Sequence, residues 1–248
     1  MGSVVLIAQL GCGGAVWAPV VKLLDGVDVI TYDRPGTGAE PPRPEPNPAL
    51  PYSAFAAELA AVLDARGVRE PVVLAAHSIG GSIMRMFADR YPERVAGLVQ
   101  IDGSLAQFYL DYESDGNDAP IDGDLPGATA FDVARGQVEL MEASAPDVPA
   151  VVVTRRHGWW PAERTVPHPS VHDLWYVSQR QLAEEWGAPL IEAVEAGHQV
   201  PAEAPALCAY LIGAVVRAAR TGSGVELDDA ELGRRGGVRR AVGSHRAA

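Results

Sequence analysis

Ser78 is the residue of this chain best placed to act as a nucleophile. It sits in Ala76-His77-Ser78-Ile79-Gly80-Gly81, between an apolar run of strand type and a run of helix type from Ser82 to Tyr91. A strand that turns sharply into a helix forces the serine between them into a strained backbone conformation and exposes its hydroxyl at the edge of a sheet. Strand and helix approach closely there, so the neighbours must be small, as Ala76, Gly80 and Gly81 are. An unassisted hydroxyl is a poor nucleophile near neutral pH, and a base must lie within reach.

His198 is the candidate base. It follows the last expected strand in Glu195-Ala196-Gly197-His198-Gln199-Val200-Pro201, where Gly197 allows the backbone to turn the ring inward. The rivals are placed less well. His157 adjoins Trp159 and Trp160, His168 and His172 lie in a Pro-rich stretch, His245 is in the tail, and His77 next to the serine is expected to point away from it.

The elements that must position these groups alternate along the chain. Apolar runs rich in β-branched residues predict strands at 4–8, 27–32, 72–75, 96–101, 150–154 and 190–193. Amphipathic stretches predict helices at 16–24, 53–66, 82–91, 171–185 and 202–219, with Ser53 as a helix N-cap. Near-continuous apolar strands separated by helices predict a parallel sheet covered on both faces. Ligands bind beyond the carboxyl ends of such strands, where both Ser78 and His198 fall.

The alternation breaks between residues 104 and 148, a stretch rich in Gly, Asp and Pro with a weak helical patch at 130–143. It is too long for an ordinary connection and predicts a lid. The organisation expected is therefore a core of residues 1–103 and 149–219, a lid insertion of 104–148, and a mobile tail of 220–248 without apolar periodicity. At 248 residues and 48% hydrophobic, one domain with a sizeable core is expected. The net charge of −12 argues against nucleic acid and anionic membrane surfaces as partners. Residues 105–147 carry ten acids and one base, read as a solvated face. Two distant cysteines, Cys12 and Cys208, suggest neither a metal site nor a disulfide framework. Without a membrane-length apolar run or a signal peptide, a soluble cytoplasmic location is expected, and no cofactor or metal.

The motifs together resemble the α/β-hydrolase-fold superfamily, in its serine-nucleophile branch. Tyr32-Asp33-Arg34-Pro35-Gly36-Thr37-Gly38 is similar to the family's loop after an early strand, and Ala76-His77-Ser78-Ile79-Gly80 to its Gly/Ala-His-Ser-x-Gly turn. Tyr91-Pro92-Glu93-Arg94-Val95 with Leu98-Val99-Gln100-Ile101-Asp102 resembles the helix exit and following strand, and Ala196-Gly197-His198 with Pro201-Ala202-Glu203-Ala204-Pro205 the base loop. The likeness spans roughly residues 3–219 and implies the fold: α/β, a mostly parallel central sheet with helices on both faces and a short lid.

The resemblance also implies an acid that orients the histidine. The family usually places it after the strand at 150–154, but the loop from Thr154 to Glu163 holds no aspartate. Asp102, at the end of the strand after the serine helix, is the expected acid, ahead of Glu163 and then Asp173. An oxyanion would be held by the backbone N–H groups of Ile79 and Cys12. Asp33 and Arg34 are read as a structural ion pair or turn, and Cys12 as a small semi-buried residue. Of the aromatics on the lid or active edge, which include Tyr112 and Phe131, the pocket candidates are Phe108, Tyr109, Trp159 and Trp160.

The function implied is hydrolysis of an ester, lactone or thioester of a small apolar molecule through an acyl-enzyme on Ser78. A non-hydrolytic enzyme of the same fold, performing acyl transfer, cyclisation or a lyase step, is the alternative. A catalytically silent binding protein ranks third. The partner expected is a small molecule, with no expectation of oligomeric state.

Overall fold

Strand interiors that are apolar at every position must be covered on both faces. In the computed structural model, which describes residues 2–103, 129–144, 147–158 and 169–242, strands β1 (Val4–Ile7), β3 (Val72–His77), β5 (Ala150–Arg155) and β6 (Leu190–Ala193) are buried throughout. With β2 (Val29–Thr31), β4 (Val95–Ile101) and β7 (Gly237–Arg240) they form one sheet of order β2-β1-β3-β4-β5-β6-β7. The first six strands are parallel, and β7 runs antiparallel to β6. Side chains alternate across the sheet with period two. Leu74, Leu98 and Val152 belong to one core cluster with Phe55 and Leu59 of α2 (Tyr52–Ala65) and Ile83 and Phe87 of α3 (Gly80–Arg90). Val73, Val99 and Val151 face the other layer, where Trp17 and Val20 join Leu207, Leu211 and Val215 of α7 (Pro205–Thr221).

Two expected helices are divided. The stretch expected at 16–24 is a 3₁₀ turn, Gly14–Trp17, followed by α1 (Ala18–Val21). The one at 202–219 is α6 (Val200–Glu203) followed by α7, with the break just before Pro205, which has no N–H to continue the hydrogen-bond ladder. Ser53 is not a cap. It lies inside α2, where its N–H and hydroxyl donate to the Glu139 carboxylate at 3.0 and 2.6 Å. Glu139 belongs to α4 (Val133–Glu142), whose true N-cap, Asp132, accepts from the Arg135 N–H. Just before α4, Phe131 is buried and stacks on Phe55 with ring centroids 4.3 Å apart. Residues 104–128 of the expected lid lie outside the described residues.

The tail expectation is corrected for residues 220–242. Asp228 caps α8 (Asp229–Arg234) by accepting from Ala230 and Glu231, and β7 pairs along the whole of β6. Arg240 donates to buried Glu192 at 2.7 Å and Arg239 to Asp229 at 2.9 Å. Charged side chains suit an edge strand. That is also why no apolar pattern marked it: β7 reads Gly-Val-Arg-Arg and is held by backbone pairing and ion pairs.

Candidate active site

The carboxyl ends of β3 and β4 lie side by side, with His77 in register with Ile101. One residue beyond each sits a non-glycine residue with positive φ: Ser78 at 55° and Asp102 at 42°. They are the only two such residues among those described. This conformation costs roughly 1–3 kcal/mol at each position and persists only where surrounding structure over-determines it. Ser78 is held by its N–H, which donates to the Ile101 carbonyl at 3.2 Å, and Asp102 by its own, which donates to Val153 at 2.7 Å. Gly80 lets the new helix start against β1, since a Cβ there would lie 2.7 Å from the Ile7 carbonyl oxygen and 2.9 Å from that of Ala8.

His198 reaches in from the loop after β6. Its Nε2 lies 3.0 Å from Ser78 Oγ and its Nδ1 2.6 Å from Asp102 Oδ2. Three residues from separate loops thus form one hydrogen-bonded chain, able to draw a proton from the hydroxyl onto the imidazole while the carboxylate fixes the ring's tautomer.

Asp102 is fully buried. Its Oδ1 accepts from the Arg155 N–H at 3.1 Å and Trp175 Nε1 at 2.8 Å, and its Oδ2 from an Arg155 guanidinium N–H at 3.2 Å as well as from His198. Burial by itself pushes the carboxyl pKa up. The Arg155 charge, His198 and the Arg155 backbone N–H outweigh it and bring the value down to about 2. Arg155, at the end of β5, also lies with its guanidinium carbon 4.3 Å from the centroid of the Trp175 ring. Trp175, on α5 (Pro169–Glu185), stands edge-on to His198. Neither Arg155 nor Trp175 was singled out from the sequence. The available signal was the end of β5 and the residue after it, Arg155 and Arg156, where the resemblance implies an acid.

Among the described side chains, the other acid and base candidates do not join this chain. Asp173 is exposed and pairs with His157 Nε2 at 3.1 Å. Glu163, His168, His245, Phe108, Tyr109, Tyr112, Trp159 and Trp160 lie outside the described residues.

The loop after β1 corrects one expectation. The Cys12 N–H donates to the Gln9 carbonyl at 3.3 Å and so closes a turn. That carbonyl also accepts from Arg34 at 2.5 Å, while a second Arg34 N–H holds the Ala8 carbonyl at 2.8 Å. In a trans peptide the N–H points opposite to the C=O. With the Gln9 carbonyl turned to Arg34 and Cys12, the Leu10 N–H points the other way. Among the described residues neither Leu10 nor Ile79 spends its N–H on a backbone carbonyl. Asp33 secures the neighbouring turns by accepting from Gly14 at 2.7 Å and Ala39 at 2.9 Å. Asp33 and Arg34, expected to form an ion pair or turn, each hold backbone groups of the neighbouring loops.

Residues 2–135 match the family model described as alpha/beta hydrolase fold. The chain belongs to that family. It is 35% identical over 103 residues to a protein of Escherichia coli O81 (strain ED1a) named "Putative carbamate hydrolase RutD"; the match covers 41% of this chain and 38% of that protein, so the chain spans under two fifths of the relative's length. Two solved structures share the fold. A thermophilic esterase from Thermogutta terrifontis superposes with a TM-score of 0.58 at 19% identity, over 88% of this chain and 90% of that one. The methylesterase MES16 from Arabidopsis does so with a TM-score of 0.57 at 16% identity, over 89% and 100%. No described helix is long and apolar enough to cross a membrane.

Proposed function

We propose that this protein is a serine hydrolase that cleaves an ester, lactone or thioester through an acyl-enzyme on Ser78. The observation that carries the reading is the continuous chain from Ser78 Oγ through His198 to a buried, ionised Asp102. Ser78 Oγ attacks the carbonyl carbon and its proton passes to His198 Nε2. The carbonyl oxygen, now negative, is held by the N–H groups of Ile79 and Leu10, each worth about 3 kcal/mol in the transition state. The bond to the leaving group breaks and His198 returns the proton to that group. Water then attacks the acyl-enzyme by the same steps and frees Ser78.

Carbamate cleavage is the second reading, favoured by the 35%-identical relative, which is named as a carbamate hydrolase. It uses the same nucleophile, base and N–H groups and differs in the substrate carbonyl alone.

The test is labelling by a fluorophosphonate probe, with Ser78→Ala as control, followed by turnover of p-nitrophenyl acetate and of a p-nitrophenyl carbamate. Labelling of Ser78 with release of nitrophenol from the acetate supports the first reading, and selective turnover of the carbamate the second. A folded protein that neither labels nor turns over refutes both.

A further inference from the structure

His77 lies one residue before Ser78 at the end of β3 and is fully buried. Both of its ring nitrogens have partners. Nε2 lies 2.6 Å from the backbone carbonyl oxygen of His198, and Nδ1 lies 2.5 Å from the Gln9 side-chain oxygen Oε1. Gln9 Nε2 is in turn 2.7 Å from Gln199 Oε1. Gln9 belongs to the loop whose next peptide carries the Leu10 N–H, and Gln199 directly follows His198. The loop after β1, the serine turn and the His198 loop therefore meet around one imidazole.

Burial and these contacts together set the ring's protonation. A charged imidazolium could donate to both oxygens, but burial and then the neighbouring His198 push the His77 pKa down to about 3, with Arg155 adding to the effect against the pull of Asp102. The neutral ring has one N–H. A backbone carbonyl can only accept, so Nε2 must carry the hydrogen. Nδ1 then accepts and requires a donor from Gln9. A half-turn of the Gln9 amide brings its NH₂ to Nδ1 and its oxygen to Gln199, and a half-turn of Gln199 supplies the NH₂ that this oxygen needs. Every contact is then a donor–acceptor pair: Gln199 donates to Gln9, Gln9 to His77 Nδ1, and His77 Nε2–H to the His198 carbonyl.

We propose that His77 is a positioning residue, which as its Nε2–H tautomer ends a Gln199–Gln9–His77 hydrogen-bond relay that pins the His198 backbone. Holding that carbonyl fixes the origin of the His198 side chain, and with it the 3.0 Å approach of Nε2 to Ser78 Oγ. The inference rests on the reading of His198 as the base. Its first test is independent of turnover.

Long-range ¹H–¹⁵N correlation spectra of ¹⁵N-labelled protein report which ring nitrogen of His77 is protonated. The expected result is a protonated Nε2 and a bare Nδ1, unchanged from about pH 5 to about pH 8, where an unperturbed histidine titrates. An Nδ1–H tautomer, or titration in that range, overturns the proposal even if the protein proves inactive. Gln9→Ala removes the donor to Nδ1 from a less buried position. The Nδ1 resonance is expected to move toward that of an unbonded nitrogen, and an unmoved resonance overturns the relay. In the folded His77→Leu variant kcat is expected to fall about tenfold with KM within about threefold. Equal losses in both, or none in either, would overturn the positioning role.

Discussion

Replacing Asp102 by Asn tests the site most directly, because the change keeps the shape and removes the charge. In the native chain the carboxylate is acceptor to Arg155, Trp175 and His198 together. An Asn must turn its NH₂ toward one of these donors. If it faces His198, the ring is forced into the tautomer whose Nε2–H points at Ser78 and cannot take the hydroxyl proton. A loss of roughly 10⁴-fold in kcat is expected for such a change. Stability carries a second signature. The folded-state pKa of Asp102 is depressed from 3.8 to about 2, so its ionisation stabilises the fold above the unfolded value and that stabilisation is lost as pH falls through the folded one. The difference amounts to about 2 kcal/mol at pH 7 and about half that at pH 3. Urea unfolding of native protein and Asp102→Asn across this range should therefore show a stability gap that narrows below about pH 4. Two results would refute the reasoning: kcat within about tenfold of native, or a gap that stays constant as the pH falls.

Further outcomes follow from particular contacts. Asp173→Asn breaks an exposed pair with His157 and should change stability by under about 0.5 kcal/mol and leave the rate of the proposed hydrolysis unchanged. Ser78→Gly should be more stable than Ser78→Ala by about 1 kcal/mol in thermal unfolding, since both lack the hydroxyl and only glycine adopts a φ of 55° freely. Gly80→Ala should cost about 2 kcal/mol and lower kcat, because its methyl group would press on the Ile7 and Ala8 carbonyls that lead into the loop after β1. Arg240→Ala should cost about 1 kcal/mol by leaving buried Glu192 short of a partner, the loss being moderated by the exposure of Arg240.

Local pattern was enough to read the serine turn, the order of the six parallel strands along the chain and the loop bearing His198. A strand buried on both faces must be apolar at every position, and a strand–helix turn must be flanked by small residues, so both leave marks in neighbouring letters. The split before Pro205 and the edge strand β7 left weaker marks. In the first an amphipathic pattern runs on across a broken ladder, and in the second the holding forces are backbone pairing and arginine contacts.

The site divides the same way. Ser78 and His198 were legible because each is announced by its own flanking residues and by its place after a strand. The surroundings of Asp102 were not. Its charge is sustained by Arg155 from β5 and Trp175 from α5, residues 53 and 73 positions away along the chain, and no spacing rule links groups that meet only when strands and helix pack. The same holds for Leu10 against Cys12, where the choice depends on which way one peptide plane is turned by the Arg34 guanidinium. Sequence by itself determined the fold, the serine turn and the histidine loop, because these follow from contacts between near neighbours. Tertiary structure alone decided how the Asp102 carboxylate is held behind His198, which backbone N–H groups are unspent among the described residues, and how His77 and Gln9 tie the loops together, because hydrogen-bond direction and burial are properties of the assembled chain.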